Sequence, residues 1–322
     1  MAPIVPHVTG SALMAAVLAG WMGGYTGTHR EPPRAVPQTP TLMNTSSPNR
    51  LQVRTYGDPA LPTLIYLPGV HGDWTLVSSF RAAVTNHFRF VEFTYPRTEQ
   101  WSLDDYAAGI ESALGTNGIT HGWLLGESFG SQVVWALLER EQARAAEGGK
   151  QAPAGFKADG VILAGGFVRH PLPRGARLLG STTAHMPSWC LKSGLWVFAQ
   201  YARFRHRHAP ETLVNIREFV QGRQDPDDRR AMRHRLTLIA EHDPRAVARR
   251  TRIPVFALAG FVDPLVPNPC VWRWLGKNCP GYRGSRMIWR ADHNVLATAP
   301  KLAADQIVRW MRDADARPPH QP

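Results

Sequence analysis

The chain has 322 residues, of which 43% are hydrophobic and 19% are charged, so it can build a packed core, and disordered and fibrous proteins are excluded. Its net charge is +12, and only five of its 37 basic residues are Lys. No Arg-rich run is interleaved with aromatic residues as in nucleic-acid-binding modules, so we expect no nucleic-acid partner. The positive charge by itself predicts only a non-specific attraction to negatively charged molecules.

Residues 1–50 are predicted to be an N-terminal apolar segment followed by a disordered linker. The uncharged stretch 8–27 has no Lys or Arg before it and lacks the small-residue cleavage site of a signal peptide. It is Gly-rich for a membrane span, and its basic flank lies on the C-terminal side, which would leave the main domain in the cytoplasm. We therefore expect a cytoplasmic protein. Membrane anchoring or export through this segment, and a start at Met43, remain alternatives.

Downstream of residue 50, short apolar or β-branched runs alternate with longer segments of helical periodicity. This alternation is typical of a mostly parallel sheet whose two faces are covered by helices. Ser102 to Asp105 fit a capping box at the start of one of these helices. The predicted fold class is thus an α/β sandwich, with strands at 51–56, 63–67, 88–96, 122–126, 160–166, 253–260 and 285–289, and a last helix at about 300–313.

Residues 169–252 interrupt the alternation and are predicted to form a helical cap between two parts of the core, 51–168 and 253–316. This segment contains 17 Arg or Lys against 7 Asp or Glu, and it carries most of the net positive charge. We expect Trp189 and Trp196 to form part of the apolar roof of a substrate pocket. The excess Arg should lie on the outer, solvated side, because burying unpaired guanidinium groups is costly.

The clearest functional motif is Gly126-Glu127-Ser128-Phe129-Gly130, a G-x-S-x-G placed between a short apolar strand and a helix. A serine on such a turn is held in a strained backbone conformation with its hydroxyl pointing outward, and the flanking glycines leave room for the close approach of neighbouring backbone. The N-terminus of the following helix favours the negative charge that develops during attack. Ser128 is therefore predicted to be a nucleophile.

A serine hydroxyl is a weak nucleophile at neutral pH and needs a base that is itself oriented by an acid. His293 is the histidine that lies in a loop between the last predicted strand and the last helix. Asp263 follows the preceding predicted strand, which gives the chain order Ser128, Asp263, His293 expected at the top of such a sheet. Asp292 adjoins the base, but a residue one position away usually points elsewhere, so it is expected to support the site only indirectly, and Asp243 is expected to be a helix-end residue.

Two backbone N–H groups must stabilise the oxyanion formed by nucleophilic attack. Phe129, the residue after the nucleophile, should supply one of them. The second should come from the loop after the strand at 63–67, and Val70 is the first candidate because the glycines on either side of it let this loop approach Ser128 closely. An ordinary glycine turn is the alternative interpretation of that loop.

At the level of these motifs the chain resembles the α/β-hydrolase-fold proteins over about residues 51–313. LPGVHG stands where many members carry an oxyanion loop, GESFG matches the nucleophile elbow, and FVDPLVP and ADHNVL match the acid and base loops. Pro68 departs from a position where His is common, which affects only details of the loop. The resemblance implies an eight-strand type of sheet and hydrolysis of esters, thioesters or amides. The serine nucleophile argues against the haloalkane dehalogenase and epoxide hydrolase branches, which use Asp.

The predicted function is hydrolysis of a carboxylic ester, thioester or amide through an acyl-enzyme intermediate, with a small-molecule acyl substrate. Acyl transfer by the same residues is an alternative, as is a non-catalytic binding or membrane-surface protein of the same fold. The mechanism needs no cofactor. The three cysteines, Cys190, Cys270 and Cys279, show neither a CxxC pattern nor a metal-ligand spacing, so we expect no metal site. Oligomeric state and membrane contact are left open.

Overall fold

The computed structural model describes residues 50–147, 155–172 and 225–316, together with the single positions Trp196 and Gln200. Within these ranges the chain forms one seven-stranded sheet in the order β1-β3-β2-β4-β5-β6-β7. Among these seven described strands, only the β1–β3 pair is antiparallel. The strands are β1 (Gln52–Tyr56), β2 (Thr63–Leu67), β3 (Arg89–Thr94), β4 (His121–Glu127), β5 (Lys157–Ala164), β6 (Val255–Val262) and β7 (Tyr282–Asp292).

Helices cover both faces of the sheet, because its central strands are apolar on both faces. One hydrophobic cluster includes Ile110, Val133 and Ile239, and a second one, on the opposite face, includes Phe80 and Ile307. The predicted α/β sandwich is confirmed. The helices are α1 (Ser78–Val84), α2 (Leu103–Thr116), α3 (Gly130–Ala146), α4 (Pro226–Glu241), α5 (Arg245–Arg250), α6 (Asn268–Asn278), α7 (Val295–Thr298) and α8 (Pro300–Asp315), and a 3₁₀ turn spans Thr75–Val77.

The sheet reverses its strand order at β2, which pairs with β3 on one side and with β4 on the other. In open α/β sheets, the crevice outside the carboxyl ends of the strands at such a switch point is the usual place for a ligand. The segments that leave β2 and β4 here are the predicted oxyanion loop and the G-x-S-x-G turn. The topology therefore brings these two predicted parts of the site together.

Two details differ from the expectations. The resemblance implied an eight-strand type of sheet, whereas the described residues form seven strands. The last strand is also longer than predicted and runs to Asp292, because its register with β6 continues to the pair Val262–Asp292. The loop that carries His293 therefore begins directly at the end of a paired strand, which limits the positions that His293 can adopt.

The predicted cap, 169–252, lies largely outside the described residues, so its extent remains a prediction. Its last part, α4 and α5, packs on the core through buried residues such as Leu236 and Val247. Arg235 on α4 is an exception to the prediction that Arg in this segment is solvated, since it is 1% exposed. Its guanidinium is buried together with backbone carbonyl groups that accept its hydrogen bonds, so it is not an unpaired donor.

The N-terminal segment, residues 1–49, lies outside the described residues. Within the described ranges, no helix is both long and apolar enough to cross a membrane.

Candidate active site

Ser128 lies at the sharp turn between β4 and α3. Its φ angle is 50°, which makes it the one non-glycine residue in the described part of the chain with a positive φ, a conformation that L-residues adopt at an energetic cost. The turn is held by hydrogen bonds on both sides of the serine. The Ser128 N–H donates to the Ala164 carbonyl over 3.0 Å, and the Ser128 carbonyl accepts from the N–H and hydroxyl of Ser131 at 3.0 and 2.6 Å.

The two glycines of the motif are required by close approach. A Cβ on Gly126 would come within 2.8 Å of Val134 Cγ2, and one on Gly130 would overlap the Leu67 carbonyl oxygen at the end of β2. Helix α3 can therefore start directly behind the sheet only if Gly130 has no side chain.

We predict that Gly130→Ala destabilises the protein by about 3 kcal/mol, because its methyl group would collide with rigid backbone rather than with a flexible side chain. The matched control is Gly115→Ala on α2, where no described residue lies within 4 Å of the added Cβ. In a helix that control should be neutral or slightly stabilising. Urea denaturation of both variants measures the difference, and equal stabilities would contradict the packing assigned to Gly130.

The structure brings the three predicted side chains Ser128, His293 and Asp263 into one hydrogen-bonded chain. His293 Nε2 lies 2.9 Å from Ser128 Oγ, and His293 Nδ1 lies 3.0 Å from Asp263 Oδ2. The His293 and Asp263 side chains are 6% and 2% exposed. These distances are within the range of ordinary hydrogen bonds.

Asp263 is held by its own loop and by the start of α6. Its Oδ1 accepts from the N–H groups of Leu265 and Val266 at 2.9 and 3.0 Å, and its Oδ2 accepts from the Asn268 side-chain amide at 3.0 Å. These bonds fix the carboxylate plane, so that Oδ2 faces His293. Asn268 was not singled out by the sequence, and only its position five residues after Asp263 could have indicated it.

Asp292 makes a different set of contacts, although it precedes His293 in the chain. Its Oδ1 accepts from the N–H of Asn294 at 2.9 Å and from the Thr298 hydroxyl at 3.2 Å. These bonds connect the end of β7 to α7. Asp292 therefore shapes the loop that carries His293, whereas Asp263 contacts the imidazole directly. Asp243, the third acid considered, bonds to Arg245 and Arg169 instead.

The site stabilises the charged form of the imidazole. Burial by itself lowers the pKa of His293, but the charge and hydrogen bond of Asp263, with the charges of Glu127 and Asp292, raise it above the ordinary value of 6.5. Burial likewise raises the pKa of Asp263, yet the charge and hydrogen bond of His293 and the other donors hold it below its ordinary value. An imidazolium formed at this position would thus be stabilised by carboxylates around it.

Glu127 is a third buried carboxyl of the site, besides Asp263 and Asp292, and its role was not inferred from the sequence. Its Oε2 accepts a 2.5 Å hydrogen bond from the Tyr66 hydroxyl. Burial raises the pKa of Glu127 to about 7, although the Tyr66 hydrogen bond and the charge of His293 oppose the shift. The signal that could have indicated it is a Glu inside the G-x-S-x-G motif, at the end of an otherwise apolar buried strand.

The loop after β2 lies directly beside the predicted nucleophile. A Cβ built on Gly69 would be 3.4 Å from Ser128 Cβ. The Gly72 N–H donates to the Gly69 carbonyl over 2.9 Å, so that Val70 and His71 occupy the centre of a tight turn. Phe129 precedes the first residue of α3. The oxyanion roles of Val70 and Phe129 stay predictions that this proximity supports.

The predicted pocket residues are only partly described. Trp189 lies outside the described residues, and Trp196 is 63% exposed, so a substrate-binding role of either remains a prediction. Among the described residues, no group of three His, Cys, Asp or Glu side chains could hold a metal ion. Cys270 and Cys279 are free thiols, and Cys190 lies outside the described ranges.

Comparison with solved structures identifies the architecture. An esterase from Thermogutta terrifontis matches with a TM-score of 0.60 at 18% identity, over 82% of this chain and 93% of the esterase chain. The enol-lactonase from Burkholderia xenovorans matches with a TM-score of 0.60 at 18% identity, over 83% and 96% of the two chains. A bromoperoxidase from Bacillus anthracis matches with a TM-score of 0.62 at 13% identity, over 82% and 96%.

The chain has the α/β-hydrolase fold. No protein-family model and no curated protein sequence matches it, and at these identities the similarity establishes the fold but not the reaction. Within the α/β-hydrolase fold, the carboxyl ends of β4, β6 and β7 present Ser128, Asp263 and His293. The positions that the sequence assigned to nucleophile, acid and base are therefore also adjacent in space.

Proposed function

We propose that this α/β-hydrolase-fold protein is a serine hydrolase that cleaves a carboxylic ester through an acyl-enzyme intermediate. The observation that carries this proposal is the hydrogen-bonded chain from Asp263 through His293 to Ser128, whose backbone conformation is strained. It is supported by the similarity to an esterase and an enol-lactonase. Thioesters and amides react by the same sequence of steps.

In the first step, Ser128 Oγ attacks the carbonyl carbon of the substrate while His293 Nε2 accepts the hydroxyl proton. The resulting tetrahedral intermediate carries its negative charge on the former carbonyl oxygen. The N–H groups of Phe129 and Val70 are proposed to donate to this oxygen, and the positive end of the α3 dipole lies on the same side. Asp263 stabilises the imidazolium by its charge and by the bond to Nδ1.

In the second step, His293 donates that proton to the leaving-group oxygen, the carbon–oxygen bond breaks, and the alcohol departs. Ser128 is then esterified by the acyl group. A water molecule that transfers a proton to His293 attacks this ester, a second tetrahedral intermediate forms, and its collapse returns the proton to Ser128 Oγ and releases the acid. Another alcohol, amine or thiol in the place of water would make the reaction an acyl transfer.

A fluorophosphonate probe tests the proposal, because it forms a covalent bond with an activated serine. We expect one equivalent to be incorporated, with the mass increase on the peptide that contains Ser128. A panel of p-nitrophenyl esters of increasing acyl length then measures which acyl groups are accepted. Absence of both labelling and ester hydrolysis in the folded protein would contradict the proposed function.

The pH dependence of kcat/KM provides a further prediction. The base must be neutral to accept the serine proton, so activity should fall as pH decreases through the pKa of His293. Because that pKa is raised, the midpoint of the acidic limb should lie above 6.5. Glu127, whose pKa is about 7, is only partly ionised over this limb, so Glu127→Gln removes a partial negative charge near His293 and should move the midpoint slightly to lower pH.

Initial rates across the range from about pH 5 to about pH 9 measure this limb, with p-nitrophenol detected at its isosbestic wavelength. A profile that stays flat down to about pH 5 would argue against His293 as the base. A midpoint that does not move in Glu127→Gln would show that Glu127 carries no charge that acts on the imidazole over this pH range.

A further inference from the structure

Arg235 on α4 is a fully buried guanidinium bound by neutral groups. It is 1% exposed. Nη1 donates to the carbonyls of Val70 and His71 at 2.9 and 3.2 Å, Nη2 donates to the Pro96 carbonyl at 2.9 Å, and Nε donates to the Tyr106 hydroxyl at 3.3 Å. Its acceptors among the described residues are all neutral, and burying a charge with such partners is costly. Arg235 also lies next to the predicted oxyanion loop, which indicates a function for this charge at the site.

The helix that carries Arg235 is anchored to the loop after β3. The guanidinium of Arg97 contacts Asp225 at the start of α4 at 2.5 Å. His234, the neighbour of Arg235, places Nε2 2.8 Å from the Trp101 carbonyl. These contacts direct the Arg235 side chain inward, between the loop after β3 and the loop after β2.

A continuous series of hydrogen-bonded peptide groups connects Arg235 to the predicted oxyanion donor. Arg235 Nη1 donates to the His71 carbonyl, and the same peptide group contributes the Gly72 N–H, which donates to the Gly69 carbonyl. The peptide group of that carbonyl contributes the Val70 N–H. Each acceptor is polarised by its donor, so the positive charge strengthens every N–H in this series as a donor.

The Arg235 guanidinium packs directly against the Gly69–Gly72 turn, so that position 72 has no room for a side chain. Gly72 has a φ of 78°, and a side chain built on it would overlap the Arg235 guanidinium. The guanidinium thus occupies the volume that a side chain would fill at this position. It also binds both carbonyls of the central residues of the Gly69–Gly72 turn, which prevents those peptide groups from rotating.

We propose that Arg235 is a positioning residue for oxyanion stabilisation, which fixes the Gly69–Gly72 turn and polarises the Val70 N–H. This rests on the proposed function. Arg235 does not touch the substrate and acts only through the peptide groups of the turn. A merely structural arginine would, when replaced, reduce the amount of folded enzyme without changing how strongly the remaining enzyme stabilises an oxyanion.

The experiment compares an ester with its thiono analogue, in which sulfur replaces the carbonyl oxygen and accepts hydrogen bonds weakly. We expect Arg235→Gln to lower kcat for the oxygen ester by about 100-fold, as the loss of an oxyanion donor does, with KM within about threefold. The rate with the thiono ester should fall much less. Arg235→Lys, which keeps the charge but not the planar set of donors, should give an intermediate oxygen-to-sulfur rate ratio.

Arg233→Gln is the matched control, because it removes a charge from the exposed face of the same helix, where Arg233 pairs with Glu99. Its rate ratio should equal that of the wild type. The ratio is measured on one sample with two substrates, so a partly unfolded variant still reports it. An unchanged ratio in both Arg235 variants would overturn the proposal.

The two proposals fail in different ways. If wild-type protein neither hydrolyses esters nor binds the fluorophosphonate at Ser128, the proposed function fails. If wild type is active and labelled while the Arg235 variants keep the wild-type oxygen-to-sulfur ratio, only the role of Arg235 fails.

Discussion

Ser128→Ala is expected to lower kcat for ester hydrolysis by roughly 10⁴- to 10⁶-fold, because every covalent step of the proposed mechanism passes through the serine oxygen. Fluorophosphonate labelling should disappear. The free energy of unfolding should change by no more than about 1 kcal/mol, since the substitution removes one hydroxyl and its hydrogen bond to His293. Burst-phase and steady-state kinetics, together with urea denaturation, measure these quantities.

Ser112→Ala on α2 is the control for this substitution, since Ser112 is exposed. It should keep full labelling and activity. Labelling of the Ser128→Ala variant at wild-type stoichiometry would assign the nucleophile to another residue, and a large loss of stability in that variant would show that Ser128 has a structural role as well.

Asp263→Asn is expected to lower kcat/KM by about 10²- to 10⁴-fold, because a neutral amide no longer stabilises the imidazolium and can hold the wrong tautomer of His293. The fold should be retained, since Asn is nearly isosteric and can still accept from the N–H groups of Leu265 and Val266. The midpoint of the acidic limb should also move to lower pH, because the substitution removes the group that raises the pKa of His293 most.

Asp292→Asn tests the alternative acid in the same assay. Asp292 accepts hydrogen bonds from Asn294 and Thr298, and an asparagine oxygen can keep both of them. We expect a loss of less than about tenfold, which reflects its smaller contribution to the charge around His293. Equal losses in the two variants, or the reverse order, would transfer the role of the acid to Asp292.

The parts of the site that could be predicted from the sequence depend on local geometry. The strand, the G-x-S-x-G turn and the helix are consecutive in the chain, so the backbone constraint on Ser128 is visible in residues 122–146 without any tertiary contact. Asp263 and His293 could be inferred because successive parallel strands end at the same edge of a sheet. Chain order then favoured Asp263 over Asp292, and the hydrogen bond to His293 Nδ1 agrees with it.

The ends of some strands could not be predicted from the sequence, because they depend on hydrogen bonds to a neighbouring strand. β7 continues to Asp292 because it pairs with β6 as far as Val262, whereas the local sequence ADHN is typical of a loop. The same limit applies to the predicted cap. Helical periodicity in 169–252 indicates helices, but it does not show that Leu236 and Val247 would join the main core.

By itself, the sequence determined the α/β sandwich, the G-x-S-x-G turn at Ser128 and the chain order of the three side chains, since periodicity and short motifs record local structure. Only the tertiary structure decided which carboxyl groups surround His293 and where the buried Arg235 binds. Glu127 meets Tyr66 from 61 residues away, and Arg235 meets the His71 carbonyl across 164 residues. The pKa values and hydrogen bonds of such groups depend on burial and on distant partners, which no local pattern specifies.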